Sequence, residues 1–83
     1  MRRHIPSTQA LACFESAARH ESYTRAAQEL ALTQSAVSRQ ILALEDQLGV
    51  QLFRRTRHGV SLTAAGRHYS QQVARSLHGL ERD

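Results

Sequence analysis

Four hydrogen-bonding side chains recur along one short segment of the sequence: Gln34, Ser35, Ser38 and Arg39. Their spacing places them on one side of an α-helix. An arginine can donate two parallel hydrogen bonds to O6 and N7 of guanine, and a glutamine amide can pair with N6 and N7 of adenine. The segment is therefore predicted to be a recognition helix that lies in the major groove of duplex DNA.

Each of these side chains has a second interpretation. Base reading is assigned to four residues: Gln34, Ser35, Ala36 and Arg39. Gln34 and Arg39 could instead pair with phosphate, and Ser35 could bond phosphate or sugar. Ala36 could contact a thymine methyl group or simply pack against the wall of the groove. Ser38 is assigned to the phosphate backbone.

An apolar stripe lies on another side of the same helix. Its members are four, three and four residues apart: Val37, Ile41, Leu44 and Leu48. This pattern predicts one helix over residues 34–48, held to a core by its apolar side and ended by Gly49 in a left-handed conformation. Glu45 and Asp46 would repel phosphate, so only the first two turns are expected to face DNA.

Two shorter helices are expected before the recognition helix. The first ends near His20, which we expect to face the terminal carbonyl groups of that helix. Ser22 can cap the second, and the small pair Ala26-Ala27 leaves room for two helices to cross closely. A helix-turn-helix is therefore predicted over about 23–42.

The starts of the second and third helices supply further candidate phosphate ligands. Thr24 and Arg25 could hold phosphate together with the positive end of the second helix, or form a solvated helix end. Thr33 is expected to cap the third helix and to bind phosphate.

A basic segment follows the recognition helix. Two short apolar runs, Val50 to Phe53 and 60–62, are predicted strands, and residues 54–59 between them are predicted to form the loop of a hairpin, called a wing. Three arginines lie in this loop: Arg54, Arg55 and Arg57. We expect them to contact the DNA backbone or minor groove; a merely solvated loop is the alternative.

The last segment, residues 63–83, is predicted to be a long helix capped by Thr63. Glycine inside a helix costs about 1 kcal/mol relative to alanine, so Gly66 indicates close approach to another helix. The predicted seam contains six residues: Gly66, Tyr69, Val73, Ser76, Leu77 and Leu80. Because the helix extends roughly 30 Å, too far for a small core to cover, the seam predicts a homodimer.

Composition agrees with a polyanionic partner. The chain has 83 residues, enough for one compact domain, with a formal net charge of +4 and a pI near 10.6. It has arginine but no lysine, which suits bidentate contact with phosphate and guanine, although an arginine-rich genome composition would also explain it. A basic arm over residues 1–6, with Arg2 and Arg3, could touch phosphate or remain a solvated tail.

Other classes of function have little support. Cys13, the only cysteine, lies in an apolar pattern and is expected to be a core residue. The histidines show no metal-binding spacing, and no catalytic motif or glycine-rich phosphate loop occurs, so we expect no enzyme, metal or cofactor. RNA binding would need an aromatic stacking platform. Without a predicted membrane span or signal peptide, the protein is expected to be cytoplasmic.

The competing interpretation is a protein-interaction module whose basic face docks an acidic protein. Counterion release gives duplex DNA binding a steep dependence on salt, which separates the two interpretations.

The chain resembles the N-terminal DNA-binding domain of LysR-type transcriptional regulators. The matching residues cover nearly the whole chain without a gap: Leu11, Phe14, Ala18, Ser22-Tyr23-Thr24-Arg25-Ala26-Ala27, Leu30, Thr33-Gln34-Ser35-Ala36-Val37-Ser38-Arg39-Gln40-Ile41, Leu44-Glu45, Leu48-Gly49, Leu52-Phe53, Arg55, Leu62-Thr63 and Ala65-Gly66. The run Ala17-Ala18-Arg19-His20 is most similar to the subgroup that contains activators of glycine cleavage and of chromosomal β-lactamase.

The resemblance implies a mainly α-helical fold: a winged helix-turn-helix of three helices and a two-stranded wing over residues 1–62, then a linker helix over 63–83 that pairs two subunits. It also implies a C-terminal effector-binding domain, absent from this chain, on which a small molecule would act. Members of the family bind interrupted palindromes as dimers, often paired into tetramers, and activate or repress nearby genes. The implied contact residues are Gln34, Ser35, Ala36, Ser38, Arg39 and Arg55.

Three positions depart from the family pattern. Thr33 replaces the usual serine and keeps the capping hydroxyl. Leu42 stands where the family often has lysine or arginine, so a phosphate contact is not expected there. Arg57-His58 replaces a commoner glycine-arginine pair, so the tip of the wing is expected to reach the backbone differently.

Overall fold

The computed structural model describes the backbone of residues 7–82 and the side chains of residues 7–75, so the predicted basic arm over 1–6 lies outside it. The elements are α1 (Thr8–His20), α2 (Tyr23–Leu30), α3 (Gln34–Leu48), β1 (Phe53–Thr56), β2 (Gly59–Leu62) and α4 (Ala64–Arg82). The two strands form one antiparallel sheet. This architecture confirms the predicted winged helix-turn-helix with a following helix. Within the described range, every helix is too short or too polar to span a membrane.

Hydroxyl side chains begin the helices, as the sequence predicts. Ser22, Thr33 and Thr63 accept hydrogen bonds from the backbone N–H groups three residues later, at 3.1, 3.0 and 3.0 Å. Ser7 does the same at the start of α1, at 3.0 Å. These bonds satisfy N–H groups that have no partner within the first helical turn. Gly49 ends α3 with a φ of 74°, also as predicted.

All four aromatic side chains of the sequence contact one another in the core. The Phe14 ring centroid lies 5.5 Å from that of Phe53 and 5.2 Å from that of Tyr69, and Tyr23 lies 5.5 Å from Phe53. These tilted and edge-to-face arrangements are the ones that aromatic quadrupoles favour. Because the rings come from α1, α2, β1 and α4, this aromatic cluster joins four of the six elements.

The apolar side of α3 faces the same core. Val37 and Ile41 are fully buried and Leu44 is 1% exposed, which confirms these three members of the predicted stripe. The prediction that Leu48 also faces the core is wrong: it is 37% exposed, because the last turn of α3 extends past the edge of the core. Cys13 is fully buried, as expected, and burial raises the pKa of its thiol.

The first strand of the wing is displaced from its predicted position: β1 begins at Phe53, where the predicted strand from Val50 was expected to end, and β2 begins one residue earlier than predicted, at Gly59. β1 pairs with β2 from Phe53 opposite Leu62 to Thr56 opposite Gly59, so residues 57–58 alone form the turn. Two-residue turns are the commonest connection in β-hairpins.

The prediction that Arg54 and Arg55 lie in a loop over 54–59 is therefore wrong. Both residues belong to β1, and only Arg57 lies in the turn. Phe53 and Val60, each 5% exposed, hold the two strands against the core and extend the pairing through the arginines.

Backbone contacts hold the wing against the turn between α1 and α2. The N–H group of Val60 donates to the carbonyl oxygen of Glu21 at 3.3 Å. A Cβ atom on Gly59, whose φ is 155°, would lie 2.6 Å from that same oxygen. The close approach therefore requires glycine at the start of β2.

The first turns of α4 pack on their own chain. Val73 is 7% exposed, and a Cβ atom on Gly66 would lie 2.0 Å from the carbonyl oxygen of Leu52. The predicted approach of Gly66 to another helix is wrong, since its neighbour is the segment before β1. Gly66 and Val73 are buried within their own chain, and a place for them in the dimer seam stays a prediction.

The other four seam residues stay predictions as well. Tyr69 is half-buried against Phe14. The side chains of the other three lie outside the described residues: Ser76, Leu77 and Leu80.

A polar network that the sequence did not reveal joins α1 to α2. Nη2 of Arg19 lies 2.7 and 2.8 Å from the two carboxylate oxygens of Glu29, and Nε lies 3.0 Å from Glu15. The buried Ser16 hydroxyl also donates to Glu29. His20 Nε2 lies 3.1 Å from the Glu29 carboxylate, so the prediction that it faces the carbonyl groups of α1 is wrong. Hydrogen bonds from Ser16 and Arg19 lower the pKa of Glu29 to about 2.

We expect Gly66→Ala to destabilise the domain by about 1–3 kcal/mol, because the added methyl group would collide with the Leu52 carbonyl oxygen. Helix propensity alone predicts the opposite sign, a gain of about 1 kcal/mol. The measurement is the free energy of unfolding in urea, followed by circular dichroism. Gln71→Ala, an exposed position of the same helix, is the control. A more stable Gly66→Ala variant would contradict the close approach.

Glu29 should make stability depend on acid over a defined range. Its folded-state pKa of about 2 lies below the ordinary value of 4.5, so its contribution is complete above pH 4.5 and is lost as the pH falls towards 2. We expect Glu29→Gln to remove this part of the pH dependence, measured as the urea midpoint at successive pH values. Glu21→Gln, at an exposed glutamate, should retain it. Superimposable acid profiles for the wild type and Glu29→Gln would refute this prediction.

Candidate nucleic-acid interface

The hydrogen-bonding side of α3 faces outward. Gln34, Ser35, Ser38 and Arg39 together line an open concavity of about 480 Å³, which we call the α3 concavity. The structure thus brings together four of the five residues predicted to contact DNA on this helix. Ala36 is half-buried at the side of the helix and does not line the concavity.

The starts of α2 and α3 meet at one end of this concavity. Thr24 Oγ1 donates to Gln34 Oε1 at 3.3 Å, so the Gln34 NH₂ group remains free to donate. The exposed Thr33 hydroxyl accepts from the N–H group of Ala36 at 3.0 Å and keeps its own hydrogen for another acceptor. Arg25 lies apart, in a separate depression that includes His20.

A groove of about 290 Å³ runs between α3 and the wing, and we call it the wing groove. Its lining includes residues from α2, α3 and β1: Tyr23, Ser38, Glu45, Arg54 and Arg55. Ser38 lines both the wing groove and the α3 concavity. The two depressions are therefore neighbouring parts of one surface. Arg57, in the turn of the wing, is exposed and does not line the groove.

The arginines of this surface are without carboxylate partners in the part of the chain that the structure describes. Ion pairs there involve only the cations Arg19 and His20. The unpaired arginines of the surface are Arg39, Arg54, Arg55 and Arg57. Such cations can neutralise an external anion without first breaking an internal ion pair.

Two residues of the wing groove were missed by sequence reasoning. The sequence pattern gives Tyr23 no role in binding; its ring packs on Phe53, and its side chain also lines the groove. Burial, with a smaller effect of the Glu45 carboxylate, raises the pKa of Tyr23 to about 12. Its hydroxyl is protonated at neutral pH, as in any tyrosine, and can donate a hydrogen bond. Glu45 was expected only to repel phosphate. No local pattern marks either residue, because the groove forms from segments far apart in sequence.

Leu42 is the one large apolar side chain that lies on this side of α3 within the described residues. It follows Ser38 by four residues and Arg39 by three, which places all three on one helix face, and it is 61% exposed. Leu42 stands where the family often has lysine or arginine. Because a leucine side chain cannot donate a hydrogen bond, this exposed position offers none to phosphate.

The fold and this surface define a winged helix-turn-helix domain: two helices joined by a short turn, a free hydrogen-bonding side on the second, and a basic two-stranded wing. Residues 8–67 match the protein family described as "Bacterial regulatory helix-turn-helix protein, lysR family". The chain belongs to this family.

Named relatives agree with that assignment. The chain is 51% identical over 78 residues to the RuBisCO operon transcriptional regulator of Allochromatium vinosum, covering 90% of this chain and 26% of that protein. It is 52% identical over 69 residues to the glycine cleavage system transcriptional activator of Escherichia coli K12, covering 83% of this chain and 23% of that protein. The chain thus spans about a quarter of the length of these relatives.

Solved structures resemble the fold closely. The DNA-binding domain of CbnR in complex with DNA superposes with a TM-score of 0.85 at 34% identity, covering 92% of this chain and 87% of that one. The DNA-binding domain of BenM in complex with benA site 1 DNA also gives 0.85, at 32% identity, covering 92% and 85%.

Proposed function

We propose that this chain is the domain with which a LysR-type transcriptional regulator binds duplex DNA sequence-specifically. α3 lies in the major groove, and the wing lies on the backbone or minor groove. One observation carries the proposal. The α3 concavity, which is lined by hydrogen-bonding side chains, adjoins the wing groove, which is lined by the unpaired arginines Arg54 and Arg55. The DNA complexes of the CbnR and BenM domains support the same partner here. No catalytic step is assigned to the chain.

Base reading is assigned to α3. Arg39 donates to O6 and N7 of a guanine, with a phosphate contact as the alternative. Gln34, whose amide oxygen accepts from Thr24, uses its free NH₂ group toward a purine N7 or a phosphate oxygen. In this proposal Ser35 contacts a base edge or the backbone, and Ala36 contacts a thymine methyl group.

Phosphate contacts surround the reading helix. We assign them to seven residues: Thr24, Arg25, Thr33, Ser38, Arg54, Arg55 and Arg57. The protonated hydroxyl of Tyr23 is a further donor within the wing groove. Contacts of this kind position α3 without reading sequence, and they make affinity depend steeply on salt.

The assembly in this proposal is a homodimer on an interrupted palindrome. The winged helix-turn-helix covers residues 1–62, and the helix over 63–83 carries the dimer contacts. α4 continues beyond the buried Val73 to Arg82, which leaves a length of helix for Ser76, Leu77 and Leu80 to pair with a second copy. The much greater length of the relatives supports a further effector-binding domain, through which a small molecule would act and dimers would pair into tetramers. We assign the regulator to the cytoplasm.

Selection of bound sequences from random duplexes, together with the solution mass of the complex, tests this function. We expect an interrupted palindrome bound by two chains, with affinity that falls steeply as salt rises. A chain that binds no duplex but binds acidic proteins would replace the proposal with the docking module.

We expect Arg39→Ala to weaken binding to the selected site by about 1–3 kcal/mol and to relax preference at one base pair, because a bidentate guanine contact is lost. Titrations with the selected duplex and with a random duplex measure both effects. Arg75→Ala, on the exposed side of α4, removes the same charge and should leave base preference unchanged. An equal loss on both duplexes would assign Arg39 to phosphate instead.

Arg55→Ala should behave differently, because its proposed partner is phosphate. We expect it to weaken binding to selected and random duplexes alike and to reduce the slope of log affinity against log salt by about 1. Titrations at several salt concentrations measure this slope. A change of base preference with an unaltered slope would contradict the phosphate assignment.

A further inference from the structure

Glu45 connects the recognition helix to the wing. Its carboxylate oxygen Oε2 accepts hydrogen bonds from the N–H groups of Leu52 at 2.7 Å and Phe53 at 3.2 Å. Its backbone carbonyl accepts from Gly49 at 2.8 Å and Val50 at 3.3 Å. One residue of α3 thus receives hydrogen bonds from four N–H groups of the segment that leads into β1.

These bonds determine where the wing arginines lie. Phe53 is the first residue of β1, and Arg54 and Arg55 follow it directly. Ser38 and Arg39 precede Glu45 on the same rigid helix. The Glu45 carboxylate therefore sets the position of the wing arginines relative to the reading side of α3.

The far side of the same segment is held by the start of α4. The Thr63 hydroxyl donates to the carbonyl oxygen of Gln51 at 2.6 Å, and the Thr63 N–H group donates to that of Leu52 at 3.0 Å. Leu52 itself is fully buried. Removal of the Glu45 carboxylate would thus free one side of the segment while Thr63 and the core still hold the other, so the wing would shift without unfolding the domain.

Electrostatics alone predicts that Glu45 weakens DNA binding. A carboxylate in the lining of the wing groove repels phosphate, so its removal should strengthen DNA binding. Asp46, the next residue, is exposed and makes no side-chain hydrogen bond within the described part of the chain. It carries the same charge without the backbone contacts, and it is therefore a matched control.

We propose that Glu45 is a positioning residue for DNA binding, which holds the arginines of the wing in register with the recognition helix through the N–H groups of Leu52 and Phe53. This inference rests on the proposed function, because it concerns the same DNA-binding surface.

The test compares four variants of the 83-residue chain: Glu45→Ala, Glu45→Gln, Asp46→Ala and Asp46→Asn. Each removes one negative charge, but only Glu45→Ala removes the acceptor of the two N–H groups. Affinity for the duplex selected by the wild type is measured at several salt concentrations, at a temperature where circular dichroism shows every variant folded. If Glu45→Ala does not fold, Glu45→Asp replaces it; its carboxylate is shorter by one methylene and keeps the charge, so it should also bind more weakly with a reduced salt slope, and wild-type binding by this variant would contradict the inference.

We expect Glu45→Ala to bind the duplex about ten-fold more weakly than the wild type in 0.1 M salt. The slope of log affinity against log salt should decrease in magnitude by about one to two, because wing–phosphate contacts are lost. Both Asp46 variants should bind as tightly as the wild type or up to about five-fold more tightly. Glu45→Gln, which keeps an oxygen acceptor, should follow them.

The opposite pattern would overturn the inference alone. If the wild type binds the duplex and Glu45→Ala binds as tightly as Asp46→Ala, or more weakly with an unchanged salt slope, Glu45 does not position the wing. A wild-type chain that binds neither selected nor random duplexes would overturn the proposed function and this inference with it.

Discussion

Burial of one side of α3 decides how the rest of this domain is arranged. Val37, Ile41 and Leu44 are almost completely removed from solvent, and each fully buried aliphatic side chain contributes about 1.5–3 kcal/mol. Rotation of the helix about its axis would expose them and is therefore strongly disfavoured. With that side buried, Ser38 and Arg39 must face outward, because a helix has one fixed angular spacing. The surface proposed to meet DNA thus follows from the packing of the residues behind it.

The wing extends this surface and is held by backbone hydrogen bonds at three places. Glu45 on α3 binds the N–H groups of Leu52 and Phe53, Thr63 before α4 binds the carbonyl oxygens of Gln51 and Leu52, and the N–H group of Val60 in β2 donates to the carbonyl oxygen of Glu21. Hydrogen bonds to backbone groups do not depend on the side chains of the wing itself. The outward residues of the strands, including Arg54 and Arg55, are therefore free to be arginines.

Local chemistry explains which features were predictable from sequence. The helix caps at Ser22 and Thr33, the left-handed end at Gly49 and the first three members of the α3 stripe each depend on residues within a few positions of one another, and the structure confirms them. The strand positions of Arg54 and Arg55 were not predictable in this way. They depend on the burial of Phe53 and Val60 against a core built from distant helices.

Polar contacts between elements, like the strand positions of the arginines, depend on residues that are distant in sequence. Glu29 belongs to α2 by its sequence, but only the crossing of α1 and α2 brings Ser16, Arg19 and His20 around its carboxylate and lowers its pKa. Gly66 signalled a close approach, and the tertiary structure identified the neighbour as the Leu52 carbonyl oxygen. By itself the sequence determined the type and order of the elements, the caps and the side of α3 that carries Arg39, because these depend on local spacing. Only the tertiary structure decided the partners of Glu45, Glu29 and Gly66, because such contacts join residues that meet only when the core has formed.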